Sequence, residues 1–251
     1  YQIAASATDG GSVSPASAIV GYGSDATVSI SANDCYHLDS LIVDGQIVAL
    51  ADTYTFTNVT ENHTLRAVFA LDTFSASLSV YLDGELSFGD EISVGCGEDI
   101  QLEIPQFACS QMDSLFVNGR LADTTFLYEI FDVHSDYQVV AFFSSISYQV
   151  IVTTQGQGSV TPSDTVQVVC GENQTFTFVP DANWFTQEIL LDGVSLGMPA
   201  NDSYTLVDIV GDHTLEVIFA INQYMITSSV DPIDAGNITP NGSHIYEAGE
   251  T

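Results

Sequence analysis

Four cysteines, five histidines and a large excess of carboxylates are the groups in this sequence with chemistry to offer. The cysteines are Cys35, Cys96, Cys109 and Cys170, and the gap from the first to the second equals the gap from the third to the fourth. Thiols so placed could form disulfides in an oxidising compartment, or remain buried and free in a reducing one. Zinc is disfavoured, because there is no Cys-x-x-Cys and no histidine at ligand spacing from a Cys pair. His37, His63, His134, His213 and His244 belong to no HExxH motif, and neither a G-x-S-x-G elbow nor a phosphate-binding glycine loop occurs. The 33 Asp and Glu residues face only Arg66 and Arg120, for a net charge of −31. Such a chain repels phosphate backbones and anionic lipid, which excludes nucleic acid and contact with a membrane surface. The acids could coat a self-repelling surface, or converge from separate loops on calcium, although no EF-hand loop or nonapeptide calcium repeat is present. A pair of glycosidase carboxylates would need a concave aromatic pocket. No catalytic, cofactor-binding or metal-binding residues are expected, and the chain is not expected to be an enzyme.

The elements that position these groups come from an internal repeat. The blocks YQIAASATDGGSVSP, VGYGSDATVSI, LIVDG and YTFTNVTENHTLRAVFA recur as YQVIVTTQGQGSVTP, VVCGENQTFTF, ILLDG and YTLVDIVGDHTLEVIFA. Between them a divergent copy keeps VGCGEDIQLEI, LFVNG and YEIFDVHSDYQVVAFF, and a fourth begins YMITSSVDPIDAGNITP. Gly23, Gly97 and Gly171 are equivalent and evenly spaced, and each precedes a turn glycine (Gly45, Gly119, Gly193) by the same interval. The modules are therefore 1–71, 72–146 and 147–222, with 223–251 the start of a fourth. Residue 1 already lies in a strand-like pattern, so the chain reads as a window on a longer mature polypeptide whose targeting signals lie outside it.

Each module reads as β. TVSIS, IQLEI and TFTF alternate apolar and polar residues, and Asp44-Gly45, Asn118-Gly119 and Asp192-Gly193 carry hairpin-turn chemistry. No helical period is sustained. The fold class is all-β: a tandem array of modules of about 74 residues, each a small β-sandwich or a β-grasp-like sheet with one short helix, stacked end to end. The order Y-x-I, G-S-V-S-P, a glycine before an alternating strand, V-D-G, then Y-T-F-T-N-V-T-x-N-H-T-L-x-A-x-F resembles the divergent internalin-B-type bacterial repeat. That resemblance implies a secreted or surface-anchored bacterial protein with many tandem copies, and brings no catalytic residues. The second module lacks G-S-V-S-P, which puts residues 74–95 furthest from the pattern.

The repeat frame sorts the cysteines. Cys35 and Cys109 share one position downstream of the reference glycines Gly23 and Gly97, and Cys96 and Cys170 immediately precede Gly97 and Gly171. Pairing within a module would join Cys96 to Cys109 and strand the other two. Pairing across junctions joins Cys35 to Cys96 and Cys109 to Cys170, one bond of constant span repeated by a single translation. Module three has Asn183, and module four Ala248, at the matching positions, so each junction has both cysteines or neither. Two inter-module disulfides are expected, each worth roughly 4 kcal/mol of chain entropy.

Of the remaining groups, His63 and His213 share one repeat position with Tyr137, which suits a turn or packing role better than that of a base. Trp184 and Phe185 match Tyr36 and His37, and Ser110 and Gln111; they could stack on sugars, but fit better as plugs at a module end. N-x-S/T sequons begin at Asn58, Asn62, Asn173, Asn201, Asn237 and Asn241, and Asp-Ser/Thr-apolar triplets at Asp39, Asp113 and Asp164 resemble a bacterial O-glycosylation motif. The expected role is a structural stalk or filament segment of an extracellular, cell-surface adhesin, partnered by neighbouring repeats, other copies or surface glycans. The alternative is a set of carbohydrate-binding accessory modules of a secreted enzyme.

Overall fold

The computed structural model describes residues 1–231 and 236–250. Parts of the fourth-module segment, residues 232–235 and 251, lie outside the described residues. Among those described there are strands and turns and no helix, so the fold is all-β and the helix-bearing alternative is set aside.

Module one contains β1 (Gln2–Ala7), β2 (Gly11–Ser14), β3 (Ser17–Ile19), β4 (Ala26–Ala32), β5 (Tyr36–Val43), β6 (Gln46–Val48), β7 (Thr53–Phe56) and β8 (His63–Leu71). They form two sheets, in the orders β3-β1-β8-β5-β6 and β2-β4-β7. The period-2 alternation read from the sequence puts Ile3, Val28, Ile30, Leu41, Val43, Phe56, Leu65, Ala67 and Phe69 into one core. β1 and β8 are adjacent and parallel, Ile3 opposite His63 through Ala7 opposite Ala67. β5 and β6 are joined by Asp44-Gly45 with φ of 49° and 78°, the left-handed pair that a two-residue hairpin requires. Gly11 lies flat on Phe69: a Cβ there would stand 2.3 Å from the ring.

Module three repeats this plan strand for strand. Its sheets are Thr165–Val169, Ser147–Gln155, His213–Ile221, Trp184–Leu191, Val194–Gly197, and Gly158–Thr161, Gln174–Pro180, Ser203–Leu206. The first and last strands are again parallel, Val150 opposite His213, around a core centred on Phe176, Ile209 and Leu215.

Module two keeps the five-stranded sheet but redeploys its N-terminal half. After Thr73–Leu82 the chain turns at once through Asp83-Gly84 and runs back as one long strand, Glu85–Gly95, along the whole of its partner. The segment that forms β2 in module one therefore never crosses to the second sheet. That sheet is reduced to Ile100–Glu103 with Leu127–Ile130. Phe126 moves over Phe143, ring centroids 6.3 Å apart, where the sister modules lay a glycine strand on the equivalent ring. At the outer edge Pro105 occupies the position of Ser31, which in module one pairs with β2. The five-stranded sheet again joins its first and last strands in parallel, Ala76 opposite Tyr137.

The described residues group into two compact units. One holds Tyr1–Gln106 and Met112–Ser144, the other Phe107–Gln111 and the chain from Ser145 onward.

Candidate functional site

The joints between modules are built from the backbone upward. In unit one, the N–H of Asp72, the residue between β8 and the next module, donates to the carbonyl of Cys35 at 2.8 Å. Its own carbonyl accepts from the N–H of Cys96 at 2.8 Å. Unit two contains the same clip twice. Ile146 donates to Cys109 and accepts from Cys170, both at 2.9 Å, and Asn222 donates to Asn183 at 2.8 Å and accepts from Ala248 at 2.9 Å. A linker residue thus sews the two modules through one donor and one acceptor whether or not cysteines are present.

Two of the three clips carry a bridge. The sulfurs lie in two bonded pairs, Cys35–Cys96 and Cys109–Cys170, with Cα–Cα distances of 5.3 Å in both. Cys35, Cys109 and Asn183 all sit in the left-handed region, at φ of 66°, 59° and 70°. Asn tolerates that conformation better than most residues, so the cysteine-free clip uses the side chain suited to the backbone.

The acids have local structural roles that the composition did not reveal. Asp44 accepts from the Thr64 N–H at 2.8 Å and pairs with His63 at 2.7 Å; Asp192 does the same with Thr214 and His213, again at 2.8 Å and 2.7 Å. Burial raises the Asp44 carboxyl, but the Thr64 N–H and His63 outweigh it and hold it below the usual range. The Thr214 N–H, with His213, holds Asp192 low as well. In module two Asn118 accepts from the Gln138 N–H at 2.8 Å, so the position requires an acceptor rather than a charge. The same holds for Asp25, Asp99 and Asn173, which accept from Asn58, Asp132 and Asp208, and for Asn62, Asp136 and Asp212, which accept from Gln2, Ser75 and Gln149. The sequons at Asn62 and Asn173 therefore fall where other modules place Asp for the same purpose.

Tyr36 and Trp184 are half-buried beside their module cores rather than presented in an exposed row. Each covers a turn glycine: a Cβ on Gly10 would stand 2.2 Å from Tyr36, and one on Gly156 3.0 Å from Trp184. His37 pairs with Asp72 at 2.6 Å, beside the first clip. His134, which the repeat frame leaves isolated, is brought by the fold to 3.5 Å from Cys35 Sγ, and spacing along the chain offered no sign of it. His244 contacts the Asn241 carbonyl at 3.1 Å.

Residues 1–73 match the family model of the divergent InlB B-repeat domain. That span takes in the whole of β1–β8 and stops at the first clip. Among solved structures, a titin I9-I11 tandem is 8% identical with a TM-score of 0.16, covering 86% of this chain and 95% of that one. The N-terminal four Ig domains of Dscam1 isoform 8.4 are 10% identical with a TM-score of 0.15, covering 78% and 69%. No curated protein matches significantly. Module three has the strand order of the matched B-repeat domain, and module two a shortened second sheet.

Proposed function

We propose that this chain is a non-enzymatic structural segment of an extracellular bacterial surface protein, a spacer that holds tension and is stiffened at two joints by disulfides. The observation that carries the reading is the parallel pairing of each module's first and last strands. The chain enters at the start of one strand and leaves at the end of its neighbour. Tension on the ends slides the pair lengthwise, so the evenly spaced hydrogen bonds of a parallel ladder are loaded together rather than peeled one at a time. The bridges set when this load applies. Force reaching Cys35 passes directly to Cys96, so the 61-residue step between them, which includes β8 and Thr73–Leu82, is held out of the path until the bridge opens and its parallel ladders take the load. At 3.3–3.6 Å per extended residue, each bridge withholds about 200 Å. Disulfides persist in oxidising, extracellular surroundings, in line with the B-repeat match of module one. A net charge of −31 keeps neighbouring chains from clumping.

Single-molecule stretching of the full chain tests the reading. Pulled from its termini, the reduced protein should resist more force than when handles sit on facing residues at the open end of one hairpin, such as Ser75 and Ser93. Reduction should add about 400 Å of extension. Equal resistance in the two geometries refutes the mechanical role.

A further inference from the structure

The two bridges differ chemically although their backbone frames agree. A Cβ on Gly97 would lie 3.9 Å from Cys35 Sγ and from Asp132 Oδ1; one on Gly171 would lie 3.8 Å from Cys109 Sγ and 3.9 Å from Asp208 Oδ1. Two residues beyond these aspartates stand His134 at the first bridge and Val210 at the second. His134 Nε2 is 3.5 Å from Cys35 Sγ, and the imidazole and both sulfurs of this bridge lie within 4.8 Å of one another.

The surroundings favour the imidazolium. His134 Nδ1 is 2.9 Å from the Asp132 carbonyl, which can only accept, so Nδ1 carries a proton and Nε2 carries one only in the charged form. Asp132 Oδ1 is 3.5 Å from Nδ1, and Asp34 Oδ2 3.7 Å from Nε2. That hydrogen bond first, then the two carboxylates, raise the His134 pKa above its ordinary value. The other titratable groups of the clip are the His37–Asp72 pair, Glu98, which accepts from the Gly95 N–H, and Asp99, which accepts from the Asp132 N–H. All but His37 are acidic and sustain the cation.

We propose that Cys35–Cys96 is a thiol–disulfide exchange site for external thiols, with His134 stabilising the departing thiolate, and that Cys109–Cys170 is its inert counterpart. Cys35 is the more open sulfur, since Cys96 is 8% exposed. An external thiolate attacks Cys35 Sγ; a new S–S bond forms, the Cys35–Cys96 bond breaks, and Cys96 leaves as a thiolate beside the imidazolium. A second external thiolate attacks the mixed disulfide at its external sulfur and releases Cys35 as a thiolate. Two electrons pass from two thiolates to the bridge, and the by-product is the external disulfide. A lower pKa in the leaving thiol speeds exchange, and a neighbouring imidazolium lowers it. The first joint is then a releasable one.

The test treats the oxidised full chain with dithiothreitol, quenches by alkylation and maps the labelled cysteines by peptide mass. With rates expressed per dithiothreitol thiolate, Cys35–Cys96 should open roughly fivefold or more faster than Cys109–Cys170 near pH 6, and the advantage should shrink near pH 9. His134→Val should abolish the difference. Val210→His should confer on the second bridge the same acceleration, present near pH 6 and shrinking near pH 9, whereas a bridge opened by misfolding would react faster at both pH values. Equal opening in the wild type, a preference that survives His134→Val, or no acceleration from Val210→His overturns the proposal.

Discussion

Replacing Cys35 by Asn and Cys96 by Ala gives the first clip the residues that the third already has, Asn183 and Ala248. The substitution removes one bridge while leaving the backbone bonds through Asp72 intact. The closed loop spans a 61-residue separation. In the chain-entropy account this corresponds to about −14 cal/mol/K, or about 4 kcal/mol at 25 °C. Against that, Cys35 holds φ at 66°, a conformation that costs an ordinary L-residue about 1 kcal/mol or more and that Asn adopts readily. The net loss is about 3 kcal/mol, a factor of roughly 150 in the opening equilibrium. Because the chain holds several cores, a single melting curve would not resolve this, and hydrogen exchange read by mass spectrometry is the suitable assay. Protection in His63–Leu71 and Tyr137–Ser145 should fall by about two orders of magnitude, whereas His213–Ile221, in the other unit, should hold. A drop of less than about threefold, or an equal drop in His213–Ile221, would show that the bridge does not act by restraining the unfolded chain.

Two further outcomes are expected. Asp44 and Asp192 have folded carboxyl pKa values below the ordinary 3.8, so the stability they contribute is present above that value and is lost as pH falls through the lower folded one. Asp44→Asn keeps an acceptor for the Thr64 N–H, as Asn118 does for Gln138. It should cost less than about 1 kcal/mol at neutral pH and should flatten the acid limb of a module-one unfolding titration; an unchanged acid limb counts against this. Gly158→Ala puts a Cβ 2.8 Å from the Phe219 ring and should destabilise module three by about 1–3 kcal/mol, seen in the fluorescence of Trp184; a shift of under about 0.5 kcal/mol would contradict that packing.

The repeat register, the three hairpin turns and the all-β class were legible because each rests on local signals: glycine and Asp/Asn at turn positions, and alternation along single strands. The parallel pairing of first and last strands was not, since pairing between segments as distant in the chain as Ile3 and His63 leaves no local mark. Nor was the fate of residues 74–95. There the absence of G-S-V-S-P pointed to a departure, but the extended strand Glu85–Gly95 is a tertiary choice made by the tight Asp83-Gly84 turn. His134 shows the same limit at the level of chemistry. It lies far along the chain from Cys35 and reaches the sulfur only because the clip folds module two's loop onto module one's.

Pro105 has a consequence for how such chains coexist when crowded. The slot left by the missing strand in module two exposes a sheet edge, which another polypeptide could extend by adding a strand of its own. An incoming strand would need a donor at the position where module one has Ser31, and proline has no N–H to give. The ladder would break after its first rungs. At this edge, neighbouring copies could therefore lie side by side without extending one another's sheet, even though module two leaves it a strand short.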